Sequence, residues 1–336
     1  MRIGIIGLGD IAEKAYLPVL AATPGVEPLL CTRDRTALDR LGDAYRIGAR
    51  FTALGDVVGA GIDAAFVHAA TTAHVPIVTT LLEAGVHVYV DKPLAYDAAA
   101  SARLVRLAAE RNRSLMVGFN RRHAPAYAAL RDLPRDVIVM QKNRRDLPGD
   151  PRAVVFDDFI HVADTLRFLA PGPITGTSVR TRVREGLLEH VVLTLGGDGF
   201  TAVGVMSRTS GAAEETCEVM GGGGKRRVVN LGEVIGYAGG ETVTRRGDWV
   251  PATRQRGVEQ ICREFLGAVR EGRILTADDA QLSHELCEEI VRAAGDTTAV
   301  DATVTDTAVT DTAVTDTAVT DTAVAGAAAV DAVPTA

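Results

Sequence analysis

The first 118 residues alternate short β-branched runs with longer segments of helical period. Arg2–Ile6, Pro28–Cys31, Ala64–His68, Val86–Val90 and Ser114–Val117 read as strands, nearly continuous in apolar residues as buried strands are. Ile11–Ala22, Arg35–Tyr45, Ala73–Glu83 and Asp97–Arg111 read as helices, with Gly25 and Gly85 where helices stop. Alternation at this spacing builds βαβ units. The pattern predicts an α/β domain over residues 1–118, a doubly wound parallel sheet with helices on both faces.

From Arg121 the rhythm changes. A helical piece at Ala124–Leu133 leads to a strand at Val137–Gln141, a basic loop holding Pro148 and Pro151, and a helix at Phe156–Ala170. Strand-like runs follow at Ser178–Val183, Leu187–Leu195, Phe200–Ser207, Thr216–Met220 and Arg226–Asn230, and their short connections predict a mostly antiparallel sheet. Helices at Arg254–Glu271 and Ala277–Ala294 close an α+β domain over 119–296. The last stretch, 297–336, differs again: Thr-Asp-Thr-Ala-Val occurs four times without a break between Thr305 and Val324. A five-residue period matches neither helix nor strand, and Thr and Asp supply no core, so a disordered, dispensable tail is expected.

Composition narrows the function classes. No apolar run approaches the ~18 residues of a membrane span. The opening MRIGIIGLGD is too short and glycine-rich for a secretory signal, so a cytoplasmic location is expected. Cys31, Cys217, Cys262 and Cys287 lie far apart without a C-x-x-C pair, which argues for reduced buried thiols and against a metal site. The net charge of −7 belongs to the tail, whose six Asp face no Lys or Arg; residues 1–296 hold 37 acids against 36 bases. A neutral body offers no footprint for nucleic acid.

The first strand runs into Gly7-Leu8-Gly9-Asp10-Ile11-Ala12, the G-x-G-x-x-A form of the dinucleotide fingerprint. Gly7 permits the tight turn, Gly9 lets backbone approach a pyrophosphate, and the N–H groups at Asp10 and Ile11 open a helix toward the phosphates. Cofactor choice is read at the end of the second strand, where Cys31-Thr32-Arg33-Asp34-Arg35 stands. With Thr32 in the place of the usual acid and Arg33 beside it, a ribose 2′-phosphate is favoured, so NADP(H) is expected over NAD(H). The alternative makes Asp34 the ribose acceptor.

Two further groups carry chemistry. Lys92 follows the strand Val86–Val90, at the carboxyl edge where such sheets bind ligands. It is one of only four lysines beside 32 arginines, and a lysine can be tuned to release its proton whereas arginine cannot. A surface salt bridge before a proline explains it equally well. In the run Asp157-Asp158-Phe159-Ile160-His161-Val162-Ala163-Asp164, regular helical spacing puts Asp157, His161, Asp164 and Phe168 on one face, with Phe159, Val162, Ala163, Leu166 and Leu169 on the core side. A histidine with carboxylates one turn to either side has the layout of an oriented acid/base.

These residues carry a resemblance. GLGDIA, Asp91-Lys92-Pro93, Gly118-Phe119-Asn120-Arg121-Arg122 and the D-x-x-x-H-x-x-D helix resemble the Gfo/Idh/MocA oxidoreductases. IAEKAYLPVL (11–20), AAFVHAATTAHVPIV (64–78), GVHVYVDKPLA (85–95), LMVGFNRRHAPAY (115–127) and DDFIHVADT (157–165) resemble its MviM-like branch, over residues 1 to about 294. The resemblance implies a Rossmann domain plus a C-terminal α+β domain with an open, mostly antiparallel sheet, and an active site between them. It implies Lys92 and His161 as catalytic groups, with Asp157 orienting the imidazole. It also places His74 near the cofactor and Asn120, Arg122 and Lys142 near the substrate, and it suggests a homodimer or homotetramer formed through the C-terminal domain. Asp91 stands where the family has glutamate, and Ala70 and Thr71 where it has Pro and Asn.

The reading is an NADP(H)-dependent dehydrogenase or reductase of a secondary alcohol or ketone, of a sugar or cyclitol. The rival readings are a nucleotide-binding redox sensor without turnover and a reductase of an imine-type substrate.

Overall fold

The computed structural model describes residues 1–301. Its first sheet has the order β3-β2-β1-β4-β5-β6, built from β1 (Arg2–Ile6), β2 (Glu27–Cys31), β3 (Arg50–Phe51), β4 (Ala64–Val67), β5 (His87–Val90) and β6 (Leu115–Val117). Every pairing in it is parallel. Strand order reverses between β1 and β4, and the crevice beyond their carboxyl ends is where such sheets take ligands.

Five helices connect its strands: α1 (a π-helical turn Ala12–Tyr16 continuing as Leu17–Ala22), α2 (Arg35–Ala44), α3 (Leu54–Gly59), α4 (His74–Glu83) and α5 (Ala98–Glu110). Asp34 and Asp97 cap α2 and α5, accepting from the main-chain N–H of Ala37 at 3.1 Å and Ala100 at 2.7 Å. The expected strands and the four expected helices are present within a residue or two. β3 and α3 were not expected, because two residues and six residues are too short to show a period.

The second sheet has eight strands in the order β14-β13-β12-β11-β7-β10-β9-β8: β7 (Val137–Asn143), β8 (Gly176–Arg184), β9 (Leu187–Gly197), β10 (Phe200–Ser207), β11 (Glu214–Gly221), β12 (Gly224–Val229), β13 (Glu233–Tyr237) and β14 (Glu241–Arg245). It is antiparallel except where β7 meets β10. β13 and β14 escape a sequence reading because they bury little, and β14 is exposed at every residue.

The helix against this sheet, α6, runs Pro151–Val154, passes through a π-helical stretch Val155–Phe159, and continues as Ile160–Leu169. It begins five residues before the expected start. Pro151 is its first residue, and Asp150 caps it by accepting from the Ala153 N–H at 2.9 Å. Phe159, Val162, Ala163, Leu166 and Leu169 are fully buried, as their spacing predicts. Gly204 of β10 lets α6 lie close, since a Cβ there would meet Val162 Cγ1 at 2.7 Å.

The last two helices are α7 (Val258–Glu271) and α8 (Asp278–Asp301). The sequence reading gave both to the second domain, and the packing of α7 differs from that. α7 packs its apolar face, Ile261 and Phe265 included, into the core of the first sheet, where the Phe265 ring meets Phe66 edge-on at 5.2 Å. Periodicity marks such a face as buried without saying against what. α8 lies against α5, α6 and β8, so it ties the two domains together, and it runs past residue 296 to Asp301. The Thr-Asp-Thr-Ala-Val repeats lie outside the described residues.

Candidate active site

The largest cavity described, about 1140 Å³, opens beyond the carboxyl ends of β1, β2 and β4. Gly7, Leu8, Gly9, Thr32, Arg33, Asp34, His68 and Ala69 are among its lining. Gly7 adopts φ +88°, and a Cβ there would sit 2.6 Å from the Ala69 nitrogen, so only glycine fits the turn. A Cβ on Gly9 would meet nothing within 4 Å, which leaves open space where a pyrophosphate has to approach. The cavity fits a dinucleotide. Asp10 and Ile11 are not among its lining: Asp10 pairs with Lys14 at 2.5 Å and Ile11 is exposed.

One wall leads from this cavity to the predicted chemistry. His68, directly after β4, has its Nδ1 2.7 Å from the Asp91 carboxylate, while its buried Nε2 has no partner. His74 bridges two carbonyls, with Nδ1 2.9 Å from Pro93 O and Nε2 2.9 Å from Ala69 O. It therefore braces the turn that carries Lys92 against the cavity wall. Burial pushes its pKa below the usual histidine range despite both carbonyls.

Lys92 projects from the end of β5 into the second domain, where its Nζ donates to the main-chain oxygen of Asp157 at 2.5 Å. Burial lowers its pKa, and Asp157 and Asp91 oppose that. His161, one turn further along α6, is buried and has no hydrogen bond to its ring among the described residues. Burial, followed by the charges of Arg121, Lys142, Lys92 and Arg144, holds its pKa well below the ordinary 6.5. The ring is neutral at pH 7 and its nitrogens are uncommitted.

The expected pairing of Asp157 with His161 is not formed. The π-helical stretch Val155–Phe159 inserts an extra residue into the turn and breaks the i, i+4 phase between them. Asp157 is turned outward, and its carboxylate accepts from Tyr96 Oη at 2.7 and 2.9 Å. Asp158 takes the inward position instead. Its carboxylate faces Lys142 Nζ at 2.6 Å, Arg144 at 2.7 and 2.8 Å, and Arg208 at 2.7 Å. Burial alone would raise its pKa, but these cations hold it at about 2. Lys142, on β7, is driven the other way: burial and Arg121 bring it down to about 7 against the pull of Asp158 and Glu215.

Two of the expected substrate residues are engaged elsewhere. Asn120 donates from Nδ2 to Arg256 O at 2.7 Å, tying the turn after β6 to the segment before α7. Arg122 grips Asp164 at 2.6 and 2.9 Å and also pairs with Asp279, while Ser283 donates to Asp164 at 2.9 Å. It is a strut between α6 and α8. The neighbouring Arg121 is the one whose charge bears on His161, and it is buried and paired with Glu215 at 2.6 and 2.8 Å. Sequence reasoning missed Asp158, Arg121, Arg144, Arg208, Tyr96 and His68. The basic stretch 142–152 was visible, but its carboxylate partner depends on a helix phase that regular spacing gets wrong.

Comparison with known proteins agrees with this construction. Residues 1–119 match the Gfo/Idh/MocA family model, described as an oxidoreductase family with an NAD-binding Rossmann fold. YceM of Salmonella typhimurium, a protein named as an oxidoreductase, is 34% identical over 305 residues, 88% of this chain and 98% of that one. Inositol 2-dehydrogenase 4 of Saccharopolyspora erythraea is 26% identical over 325 residues, 87% of this chain and 93% of that one. The crystal structure of the dehydrogenase MviM from Clostridium difficile superposes with a TM-score of 0.82 at 30% identity, over 87% of this chain and 99% of that one. A dinucleotide cavity on a parallel sheet, and relatives aligned over nearly their whole length, place the chain in the Gfo/Idh/MocA family of NAD-binding oxidoreductases.

Proposed function

We propose that this protein interconverts a secondary alcohol and a ketone on a polyol of the sugar or cyclitol class, with NADP(H) preferred to NAD(H). The observation that carries the reading is that Lys92, next to the Asp91 that binds the cavity-lining His68, reaches from the first domain to the Asp157 carbonyl of the second, one turn from His161. The bound dinucleotide supplies the hydride donor or acceptor. The chain's own residues handle the proton. His161, neutral and unpartnered, takes the hydroxyl proton on oxidation and returns it on reduction. Lys92 polarises the same oxygen, and the carbonyl of Asp157 holds the ammonium in place. A protein that only bound the nucleotide would need neither group.

The cofactor preference rests on three residues. Thr32, Arg33 and Asp34 line the cavity, and one oxygen of the Asp34 carboxylate is engaged in capping α2. Arg33 is exposed and free to meet a 2′-phosphate. The assembly proposed is a homodimer or homotetramer through the second domain, whose eight-stranded sheet ends in the unprotected edge strand β14. Light scattering at the monomer mass would refute it.

The test of the function is a purified sample screened with NADP⁺, NADPH and their NAD counterparts against polyols, keto-sugars and cyclitols. Turnover that is lost in His161→Ala supports the reading. Cofactor binding without turnover on any panel member favours the sensor, and reduction of imines alone favours the imine reductase.

A further inference from the structure

Five cationic side chains gather around His161 and Asp158 from four places in the fold: Lys92 after β5, Arg121 after β6, Lys142 and Arg144 at the end of β7 and just beyond it, and Arg208 after β10. Four carboxylates answer them, and Asp91 is taken up by His68 Nδ1 at 2.7 Å. Glu215 is committed to Arg121. Asp157 gives both oxygens to Tyr96, and no carboxylate lies within ion-pair distance of Lys92 among the described residues. Asp158 alone is shared by Lys142, Arg144 and Arg208.

Such a surplus is costly where it is buried. Lys142 and Arg208 expose 5% and 9% of their side chains, and unpaired charge in that environment is destabilising until an anion arrives or a proton leaves. The donors are also incompletely used. Arg144 binds Asp158 through Nε and Nη2, which leaves Nη1 without a partner, and at 32% exposure it is the one member of the trio that reaches solvent. Lys142 spends one of its three N–H donors on Asp158.

We propose that the substrate carries an anionic group, a carboxylate or a phosphate, which docks on Arg144 and Lys142 while its hydroxyl or carbonyl carbon lies toward Lys92 and His161. The proposal rests on the dehydrogenase reading above and narrows it from polyols in general to acidic ones. Docking an anion on Lys142 and Arg144 returns the cleft toward neutrality. Because Lys142 sits at about 7, binding above that pH draws a proton onto it. Binding is therefore accompanied by proton uptake and weakens as pH rises through that value.

The test uses the full chain saturated with dinucleotide, titrated with malonate and with inorganic phosphate at ionic strength fixed by chloride. Calorimetry in two buffers of different ionisation enthalpy reads the proton count. The expected result is saturable binding with proton uptake, weakened roughly tenfold or more in Arg144→Gln, with cofactor affinity unchanged. The tighter of the two probes identifies the carboxylate or the phosphate source. Arg144 is partly exposed, so its variant should fold, and Lys142→Met should remove the proton uptake. No binding of either anion up to about 50 mM, a limit weaker than any useful affinity, or binding indifferent to Arg144→Gln, overturns the proposal. Neutral polyols turned over as well as their acidic counterparts would also overturn it while leaving the dehydrogenase reading intact. Specific anion binding with no redox turnover would sustain it and remove that reading instead.

Discussion

Lys92 Nζ and the main-chain oxygen of Asp157 meet at 2.5 Å although 65 residues separate them in sequence. That bond joins the carboxyl edge of a parallel sheet to the irregular turn of a helix from the other domain. Lys92 is thus held by a carbonyl that the π-helical stretch leaves available, since such a stretch shifts the usual acceptor pattern.

The two fingerprint glycines should fail in different ways. Gly7→Ala forces a side chain into a left-handed conformation and against the Ala69 backbone, so a fall in melting temperature is expected. Gly9→Val points into open space, so it should fold normally and lose dinucleotide affinity. Thermal melts and fluorescence titration separate the two. Equal melting temperatures for both variants would contradict the assignment.

Arg33→Ala should remove most of any preference for NADPH over NADH. A phosphate–arginine contact is a charge-assisted bond worth about 1.5–3 kcal/mol. Titration of both cofactors by fluorescence gives the ratio directly, and equal affinities in the unmodified protein would contradict the preference.

Arg122→Met should act on stability and not on substrate. The change leaves Asp164, which is 1% exposed, without its cation, and breaking such a pair costs about 3–5 kcal/mol. A lower melting temperature with KM unchanged is expected. A raised KM in a normally stable variant would restore Arg122 to the substrate site.

Five of the seven histidines, His74, His87, His123, His161 and His284, have pKa values pushed below 6.5, with burial the largest cause in each. The unfolded chain therefore binds more protons than the folded one once pH falls to about 6.5, and stability must drop there. Lys142, lowered to about 7, acts in the same direction at higher pH, where stability rises as pH climbs toward 10.5. Asp158, held at about 2, stays charged throughout. The melting temperature should fall between about pH 7.5 and 5.5, and a flat or rising profile would contradict the buried neutral histidines.

What could be read from the sequence divides along physical lines. The dinucleotide cavity was legible because Gly7 and Gly9 answer local demands, a backbone angle and a close approach, that leave a mark in a few consecutive residues. The parallel sheet was legible because its strands are buried on both faces. Lys92 and His161 were singled out as candidates through motif and resemblance. Their companions were not. Whether Asp157 or Asp158 faces the cleft depends on one extra residue in a helical turn, and the π-helical stretch leaves no signature in spacing. Arg121 and Arg122 are adjacent and identical in type, and only tertiary packing sends one to Glu215 and the other to Asp164. The partner of α7 was hidden for the same reason: an amphipathic stripe records burial without recording the surface that covers it.

The central claim is that Lys92 and His161 form one proton-handling site. The most direct measurement is single-turnover hydride transfer by Lys92→Ala and His161→Ala on a verified substrate, with cofactor affinity measured alongside. Each variant should lose about 10²–10⁴ in rate, the range for general acid–base catalysis, while binding the dinucleotide nearly as well as the unmodified protein. Full turnover in His161→Ala with loss in Lys92→Ala would contradict the account and leave the histidine as no more than a neighbour of the substrate.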